Sequence, residues 1–92
     1  MIESIRHKGL RRFFEDDDRS KPPADMVERI RDILTLMDAA RSIEALNVPG
    51  YRLHALKGDP KGFWAVTVRA NWRIIFRFED GAAFDVDFVD YH

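Results

Sequence analysis

The sequence predicts an α+β fold, with N-terminal helices packed on one face of a mainly antiparallel sheet of four to five strands. In the first half of the chain, apolar residues repeat at three- and four-residue steps, which is the period of an amphipathic helix. After Gly50 they alternate with polar residues, which is the period of a strand. Helices followed by strands form two layers around one core, and 92 residues leave room for a single domain spanning residues 1–92.

Two helical patterns lie in the first half. Lys8–Glu15 predicts a short helix, and Asp16–Pro23 predicts a loop because its acids repel one another and proline ends helices. A longer helix is expected over about Pro23–Ala40, followed by one more turn at Ser42–Leu46. Its apolar stripe consists of Met26, Val27, Ile30, Ile33, Leu34 and Met37. Ile2–Arg6 alternates weakly and is compatible with a short edge strand.

The second half contains four strand patterns separated by turn residues. They are Tyr51–Leu56, Phe63–Arg69, Trp72–Phe78 and Ala83–Val89. In the third, one face carries Trp72, Ile74, Phe76 and Phe78, and the other carries Arg73, Ile75 and Arg77. The helices are expected to cover the aromatic face, which leaves the other face to water or to a partner.

The hairpin between the last two strands decides which side chains share a sheet face. A two-residue loop at Asp80-Gly81 would place Arg77 opposite Phe84 and mix the faces, because a shift of one residue turns every side chain over. A three-residue loop at 80–82 keeps the faces apart and is therefore predicted. The resulting partners are Phe78 with Phe84, Arg77 with Asp85, Phe76 with Val86 and Arg73 with Val89.

Composition narrows the class of protein. The formal net charge of −1 indicates no nucleic-acid binding by itself, but the strand region carries Arg52, Lys57, Lys61, Arg69, Arg73 and Arg77, which can form a local basic face. The chain has no cysteine, which excludes a disulfide framework, a thiolate nucleophile and a cysteine metal site. It has neither a signal-peptide pattern nor an apolar run of membrane-spanning length, so we expect a cytoplasmic protein.

Several residues of the strand region carry reactive groups, and each has a simpler structural interpretation. His54 in the first strand is, taken alone, more typical of a surface position than of a catalytic one. Lys57 in a Lys-Gly-Asp turn is typical of a solvated side chain. Arg69 and Arg73 are typical of a charged sheet face paired with the acids of the last strand. Both tryptophans are expected in the core.

The terminal Asp90-Tyr91-His92 differs, because it continues the last strand and, in the predicted register, lies next to Arg73. An acid, a phenol and an imidazole at one strand end can position and move protons. Cleavage of RNA by its own 2′-hydroxyl uses such groups: a base at the 2′-oxygen, an acid at the leaving 5′-oxygen and cations around the phosphorus. Histidine suits the proton steps and arginine suits the phosphate.

Other reaction classes lack their motifs. The sequence contains no HExxH and no grouped acids and histidines with the spacing of metal ligands. It also contains no glycine-rich phosphate loop and no serine-centred nucleophile elbow. We therefore expect no metal and no cofactor.

Four stretches occur with an order and spacing that carry a resemblance to a known family. They are HKGL at 7–10, YRLHALKGD at 51–59, GFWAVTVRANWRIIFRF at 62–78 and DYH at 90–92. Together they resemble the HigB branch of the RelE/ParE superfamily of bacterial toxins, over essentially the whole chain. The resemblance implies a RelE-like fold and a ribosome-dependent mRNA endonuclease, which cuts message in the A site of the 70S ribosome and halts translation.

The same resemblance implies partners. A HigA-like antitoxin, a helix-turn-helix protein, neutralises such a toxin. The complex of the two represses its own operon, so operator DNA is contacted only through the antitoxin. The ribosome and its RNA are the remaining partners, and Arg6, Lys8, Arg11 and Arg12 are candidates for contacts with ribosomal RNA.

The family's active-site positions fall on residues of the expected types in this chain, namely His54, Lys57, Arg73, Asp90, Tyr91 and His92. The resemblance implies that Lys57 and Arg73 hold the phosphate, that Asp90 and the two histidines share the acid–base work, and that Tyr91 positions the nucleotide. Which histidine is the base stays open. Two alternatives also stay open: a ParE-like toxin that inhibits gyrase without cutting RNA, and a binding module whose catalytic site has weakened.

Overall fold

The computed structural model describes residues 1–58 and 62–91. Its helices and strands are α1 (Lys8–Asp16), α2 (Val27–Ala39), β1 (His54–Ala55), β2 (Phe63–Arg69), β3 (Trp72–Glu79) and β4 (Ala82–Asp90). Single 3-10 turns at Ala24–Met26 and Ile43–Leu46 flank α2. The strands form one antiparallel sheet in the order β1-β2-β3-β4, which confirms the predicted α+β class.

The N-terminal segment lies along the free edge of β4. Ile2 and Ile5 form isolated parallel bridges with Ala83 and Val86, and the backbone N–H of Arg6 donates to the carbonyl of Val86 at 2.7 Å. The predicted edge strand is thus reduced to two bridges. They still cover part of an edge that would otherwise expose unpaired backbone groups.

The first predicted strand is the one that the structure shortens most. Instead of Tyr51–Leu56, only His54–Ala55 is a strand. The cause is local, because Arg52 adopts a positive φ of 52°, which breaks the extended conformation that a ladder requires. The chain regains sheet-like pairing only at His54, and the N–H of Leu56 still donates to the carbonyl of Phe63 at 2.8 Å.

The two helices form where the apolar periodicity predicts them. His7 caps α1, since its Nδ1 accepts a hydrogen bond from the N–H of Leu10 at 3.0 Å. The expected start of the second helix, near Pro23, is instead a 3-10 turn that leads into α2. Side chains of the predicted stripe are buried, with Ile30, Ile33 and Met37 fully so. Among the described residues, no helix is long and apolar enough to cross a membrane.

The core lies between the helices and one face of the sheet. The fully buried side chains on the sheet side are Val66, Ile74, Phe76 and Val86. Both tryptophans pack at the margin of this cluster, as predicted. At roughly 25 cal/mol per Å² of apolar surface, each large buried side chain contributes about 1.5–3 kcal/mol, so this layer supplies most of the stability.

The β3–β4 hairpin contains both of the registers compared above, one at the turn and the other further along the strands. At the turn, Arg77 pairs with Phe84 around a two-residue Asp80-Gly81 loop, so the prediction of a three-residue loop is wrong. Both loop residues have positive φ, 51° and 75°, which matches the twist of a tight hairpin. Further along, Arg73 pairs with Val89, as predicted.

A β-bulge in β4 reconciles these registers. The pairing shifts by one residue between Ile75 and Arg77, so Phe76 faces the two residues Asp85 and Val86. Asp85 has a φ of 54°, the left-handed conformation that asparagine and aspartate tolerate better than most residues. Beyond the bulge, Val86 and Phe88 of β4 lie on the core face.

Ion pairs hold the bulge in place. Nε of Arg77 donates to Asp85 at 3.0 Å, and Arg6 lies 3.7 Å from the same carboxylate. The hydrogen bond to Asp85 is the main cause that raises the pKa of Arg77, with Glu79 adding to it. The guanidinium therefore stays charged throughout the physiological pH range.

We expect Asp85→Val to destabilise the fold by about 1–3 kcal/mol, because a β-branched residue is strained at positive φ and loses both arginine partners. Asp85→Asn is the matched control. It keeps a residue that tolerates this conformation and should cost about 1 kcal/mol or less, since the lost pairs are partly exposed. Urea unfolding of both variants measures the difference, and equal losses would contradict the role of backbone strain.

Candidate active site

The sheet face that points away from the helices, here called the outer face, carries His54 and Arg73, whereas Asp90 is in register with Trp72 of the opposite face. The centre of the outer face is a small apolar cluster of Phe63, Ala65 and Ile75, bordered by Leu56 and Val89. The pairings Thr67–Arg73 and Arg73–Val89 run across one end of this face. His54 pairs with Ala65 and therefore lies one step along the strands from that row.

His54 stands on the edge strand β1 and is exposed. Its Nδ1 lies 2.9 Å from the carbonyl oxygen of Arg52. A carbonyl can only accept, so Nδ1 carries the proton in this contact whether the ring is neutral or charged. The other nitrogen, Nε2, is then the atom at which His54 gains or loses a proton.

Arg73 is half-buried on β3 and its guanidinium is anchored by backbone. Nη1 donates to the carbonyls of Ala70 at 2.6 Å and Trp72 at 3.2 Å, so the group is fixed to the turn between β2 and β3. The expected pairing with an acid of β4 is replaced by these contacts. Nε and Nη2 carry three further N–H groups, in the fork geometry that suits a phosphate.

The other arginine considered, Arg69, has a different partner from the one expected. It forms an ion pair with Asp25, next to the start of α2, rather than with an acid of β4. A bulge between Thr67 and Arg69 shifts this end of β2 out of regular register. Arg69 thus ties the sheet to the helical layer and lies outside the row that contains Arg73.

The end of β4 is held beside Arg73 by two contacts. Trp72 stacks on Phe88, with ring centroids 4.7 Å apart and planes 14° from parallel. The N–H of Tyr91 donates to the carbonyl of Asn71 at 2.8 Å. Asp90 lies in register with Trp72, and the ring of Tyr91 is 39% exposed.

Lys57 and His92 complete the predicted set. Lys57 is exposed and follows β1 at the end where the chain pairs with Phe63. His54 therefore lies between Lys57 and the row that contains Arg73. His92 lies outside the described residues. The structure therefore gathers His54, Arg73, Asp90 and Tyr91 at one end of the sheet, with Lys57 displaced along its edge.

His54 and Arg73 lie well apart across this end of the sheet, because β2 separates their strands. Two strand spacings of roughly 4.8 Å and one pleat repeat of about 6.8 Å place the Cα atoms of His54 and Arg73 about 12 Å apart. Among residues 1–58 and 62–91, no three acids or histidines are grouped so as to hold a metal ion.

Two contacts that shape this site have no signal in the sequence. The carbonyls of Arg52 and Asn71 fix the ring of His54 and the backbone of Tyr91. Backbone carbonyls are present at every position, so residue type cannot reveal which of them are used. Asn71 as a residue type indicates only that a turn forms there.

Comparison with known proteins identifies the family. The family model described as "RelE-like toxin of type II toxin-antitoxin system HigB" matches residues 3–92. This chain belongs to the HigB-like toxin family. Membership of a type II toxin–antitoxin system also means that a protein antitoxin is its partner.

Relatives of this family match along their whole length. The chain is 50% identical to Endoribonuclease HigB of Proteus vulgaris over 92 residues, covering 100% of both chains. It is 32% identical to Toxin HigB-1 of Vibrio cholerae over 94 residues, covering 100% of this chain and 98% of the relative.

Solved structures support the RelE-like fold. A YafQ mutant from E. coli aligns with a TM-score of 0.61 at 17% identity, covering 98% of this chain and 91% of that one. A YoeB/ParE toxin from Agrobacterium tumefaciens aligns with a TM-score of 0.53 at 20% identity, covering 99% and 96%. At such identities the likeness concerns the fold alone.

The two described imidazoles lead to opposite expectations for their neutral tautomers. We expect the Nδ1–H form for His54, which donates to a carbonyl, and the Nε2–H form for His7, whose Nδ1 accepts from the N–H of Leu10. Ring nitrogen chemical shifts in ¹⁵N-labelled protein above the titration range measure both. His54→Gln and His7→Gln spectra assign the signals, and an Nε2–H form at His54 would remove the contact with Arg52.

Proposed function

We propose that this HigB-family toxin is an endoribonuclease that cleaves mRNA in the ribosomal A site and so inhibits translation. The observation that carries the proposal is the cross-strand row in which Arg73 pairs with Val89, directly before Asp90 and Tyr91, with His54 one step away. The 50% identity to a full-length relative named an endoribonuclease supports it further.

The proposed reaction uses the RNA itself as nucleophile. A base removes the proton of the 2′-hydroxyl, and the 2′-oxygen forms a bond to phosphorus while the bond to the 5′-oxygen breaks. An acid gives a proton to the leaving 5′-oxygen, so the products are a 2′,3′-cyclic phosphate and a free 5′-hydroxyl. General acid–base groups supply roughly 10²–10⁴-fold of such a rate, and the step requires no metal.

His54 is one of the two proton-transfer groups in this proposal. Because its Nδ1 is bound to the carbonyl of Arg52, the ring presents Nε2 to the substrate and keeps a fixed orientation. Asp90, at the end of β4, and His92, two residues further along the chain, share the remaining acid–base work. Tyr91, with 39% of its surface exposed, offers a ring for positioning the nucleotide.

Arg73 and Lys57 hold phosphate in this proposal, on opposite sides of His54. The guanidinium of Arg73 is fixed by the carbonyls of Ala70 and Trp72 before any substrate binds, which favours stabilisation of charge at the scissile group. Lys57 follows the other end of β1, where it suits a contact with a neighbouring phosphate of the message.

Contacts with ribosomal RNA are proposed at a basic cleft on the helical layer. It is lined by His7, Lys8, Gly9, Arg12 and Lys21. Lys21 packs closely against Gly9, since a Cβ added to Gly9 would lie 2.5 Å from the Cβ of Lys21. Of the four cations expected for this role, Lys8 and Arg12 lie here, whereas Arg6 contacts Phe63 and Asp85 on the outer face.

The identity of the antitoxin and the way operator DNA is bound are also part of the proposal. The antitoxin is a HigA-like helix-turn-helix protein, and operator DNA is bound only through it. Substrate and ribosome place the toxin in the cytoplasm. The single-domain organisation of residues 1–92 fits a toxin small enough to enter the A site.

Replacing Arg73 with alanine should reduce cleavage of ribosome-bound message by roughly 10²–10³-fold, because the fixed positive charge at the phosphate is lost. Folding should change little, since this side chain is only half-buried and bonded to turn carbonyls. Single-turnover cleavage on programmed ribosomes measures the rate, and circular dichroism checks the fold.

Arg69→Ala is the matched control for that experiment. It removes an arginine of the neighbouring strand that pairs with Asp25 instead of lying in the Arg73 row. We expect its cleavage rate to remain within a few-fold of the wild type. Full activity of Arg73→Ala would exclude Arg73 from the site.

Toe-printing of translating ribosomes distinguishes this proposal from its alternatives. We expect new message ends at codons in the A site when the toxin is added, and none with Arg73→Ala. A DNA-damage response without such ends would indicate a gyrase inhibitor. Absence of both cleavage and growth arrest would indicate a binding module without catalysis.

A further inference from the structure

Arg29 of α2 makes an unusual set of contacts at the edge of the sheet. Its Nη2 donates to the carbonyl of Gly50 at 2.8 Å and to that of Thr67 at 3.3 Å. The guanidinium also lies over the ring of Tyr51, with Cζ 4.7 Å from the ring centroid. One side chain thus joins the second helix, the segment that leads into β1, and strand β2.

Most of that segment lies outside regular secondary structure, although Tyr51 is buried in the core and Leu53 packs against it. β1 is two residues long and pairs on one side only, since it is the edge of the sheet. Before it, Gly50 and Arg52 both have positive φ, 91° and 52°, so the chain turns twice within three residues. The N–H of Thr67 donates to the carbonyl of Tyr51 at 2.7 Å, directly beside the Arg29 contacts.

The contacts of Arg29 lead to the imidazole of His54 within four residues. Arg29 holds Gly50 and Tyr51, and the next residue, Arg52, supplies the carbonyl that binds Nδ1 of His54. A displacement of Tyr51 therefore moves the group that orients the ring. No comparable side-chain tether is described for β1 itself.

Stability alone is a poor reason for an arginine at this position. Among the described residues, the side-chain polar atoms that are buried without a hydrogen-bond partner are Nε of Arg29 and Oγ1 of Thr67, and the first belongs to this guanidinium. An unpaired buried donor costs about 1–3 kcal/mol, which an aliphatic side chain would avoid. Retaining it is consistent with a requirement for geometry.

We propose that Arg29 is a positioning residue, which clamps Gly50–Tyr51 to β2 and thereby sets the orientation of the His54 imidazole for proton transfer. The inference rests on the proposed function for its catalytic consequence. Its structural content, the orientation of the His54 ring, can be measured without any cleavage assay.

The first test is the ring of His54 in Arg29→Met. We expect its ring nitrogen shifts to move from the Nδ1–H pattern toward a mixture of tautomers, because the Arg52 carbonyl is no longer held. The signals of His7 should stay unchanged, since His7 caps α1 away from this contact. His54 signals identical to those of the wild type would overturn the proposal.

The second test is kinetic. On programmed ribosomes, Arg29→Met should lower the maximal cleavage rate by about 10- to 100-fold, because small misplacements of a reacting group are costly. The toxin concentration for half-maximal cleavage should change by no more than about twofold, since ground-state binding is not altered. Loss through weaker binding alone would contradict a positioning role.

Arg31→Met is the matched control on the same helix. Arg31 pairs with Asp17 at 3.1 Å and Glu28 at 3.5 Å, and its guanidinium lies 5.7 Å from the centroid of the Phe13 ring. It therefore has comparable contacts but none to the β1 segment. We expect Arg31→Met to show wild-type His54 signals and a wild-type cleavage rate. An equal loss of cleavage in Arg29→Met and Arg31→Met would overturn the proposal.

Two conservative variants complete the test. Tyr51→Phe keeps the ring beneath the guanidinium and should behave like the wild type, whereas Arg29→Lys keeps the charge without the fork and should restore part of the rate. If Arg29→Met does not fold, the His54 signals of Arg29→Lys decide in its place. If the wild type cleaves no RNA, the proposed function fails while the ring measurements still test Arg29.

Discussion

The pairing of β3 with β4 around the Asp85 bulge is the constraint on which the arrangement depends. The tight Asp80-Gly81 turn imposes one register, and the separation of apolar from charged side chains requires another. One extra residue in β4 satisfies both, at the expense of a left-handed backbone at Asp85. The register shift lies between Ile75 and Arg77, which is closer to the turn than Arg73. Arg73 and the end of β4 therefore lie side by side at the far end of the hairpin.

The two faces of the sheet then have separate tasks. The face beneath the helices forms the core, where Phe76 and its neighbours are fully buried. The outer face has only a small apolar cluster, and its margins carry the imidazole of His54 and the guanidinium of Arg73. The β3–β4 hairpin thus carries the guanidinium, and the edge strand β1 carries the imidazole, on the same face of one sheet. The helical layer also contacts this region, where Arg29 reaches Gly50 in the segment that leads into the edge strand.

Much of this could be predicted because each feature depends on local periodicity. The stripe of α2, the strands β2 to β4 and the core positions of both tryptophans follow from spacing along the chain. The pairing of Arg73 with Val89 was predicted correctly although the loop between them was not. The bulge has no signal in the sequence, because it lets a two-residue loop coexist with separate faces and because an aspartate at positive φ has no distinct sequence pattern.

The sequence by itself determined the two-layer class, the faces of the strands and the residue types available for RNA chemistry, since these depend on spacing and composition. Only the tertiary structure decided which of them meet. The length of β1, the anchoring of Arg73 on turn carbonyls, the orientation of His54 by Arg52 and the pairing of Arg69 with Asp25 all depend on backbone groups or on residues distant in the chain. Such contacts arise from the packing of helix against sheet, which local periodicity does not encode.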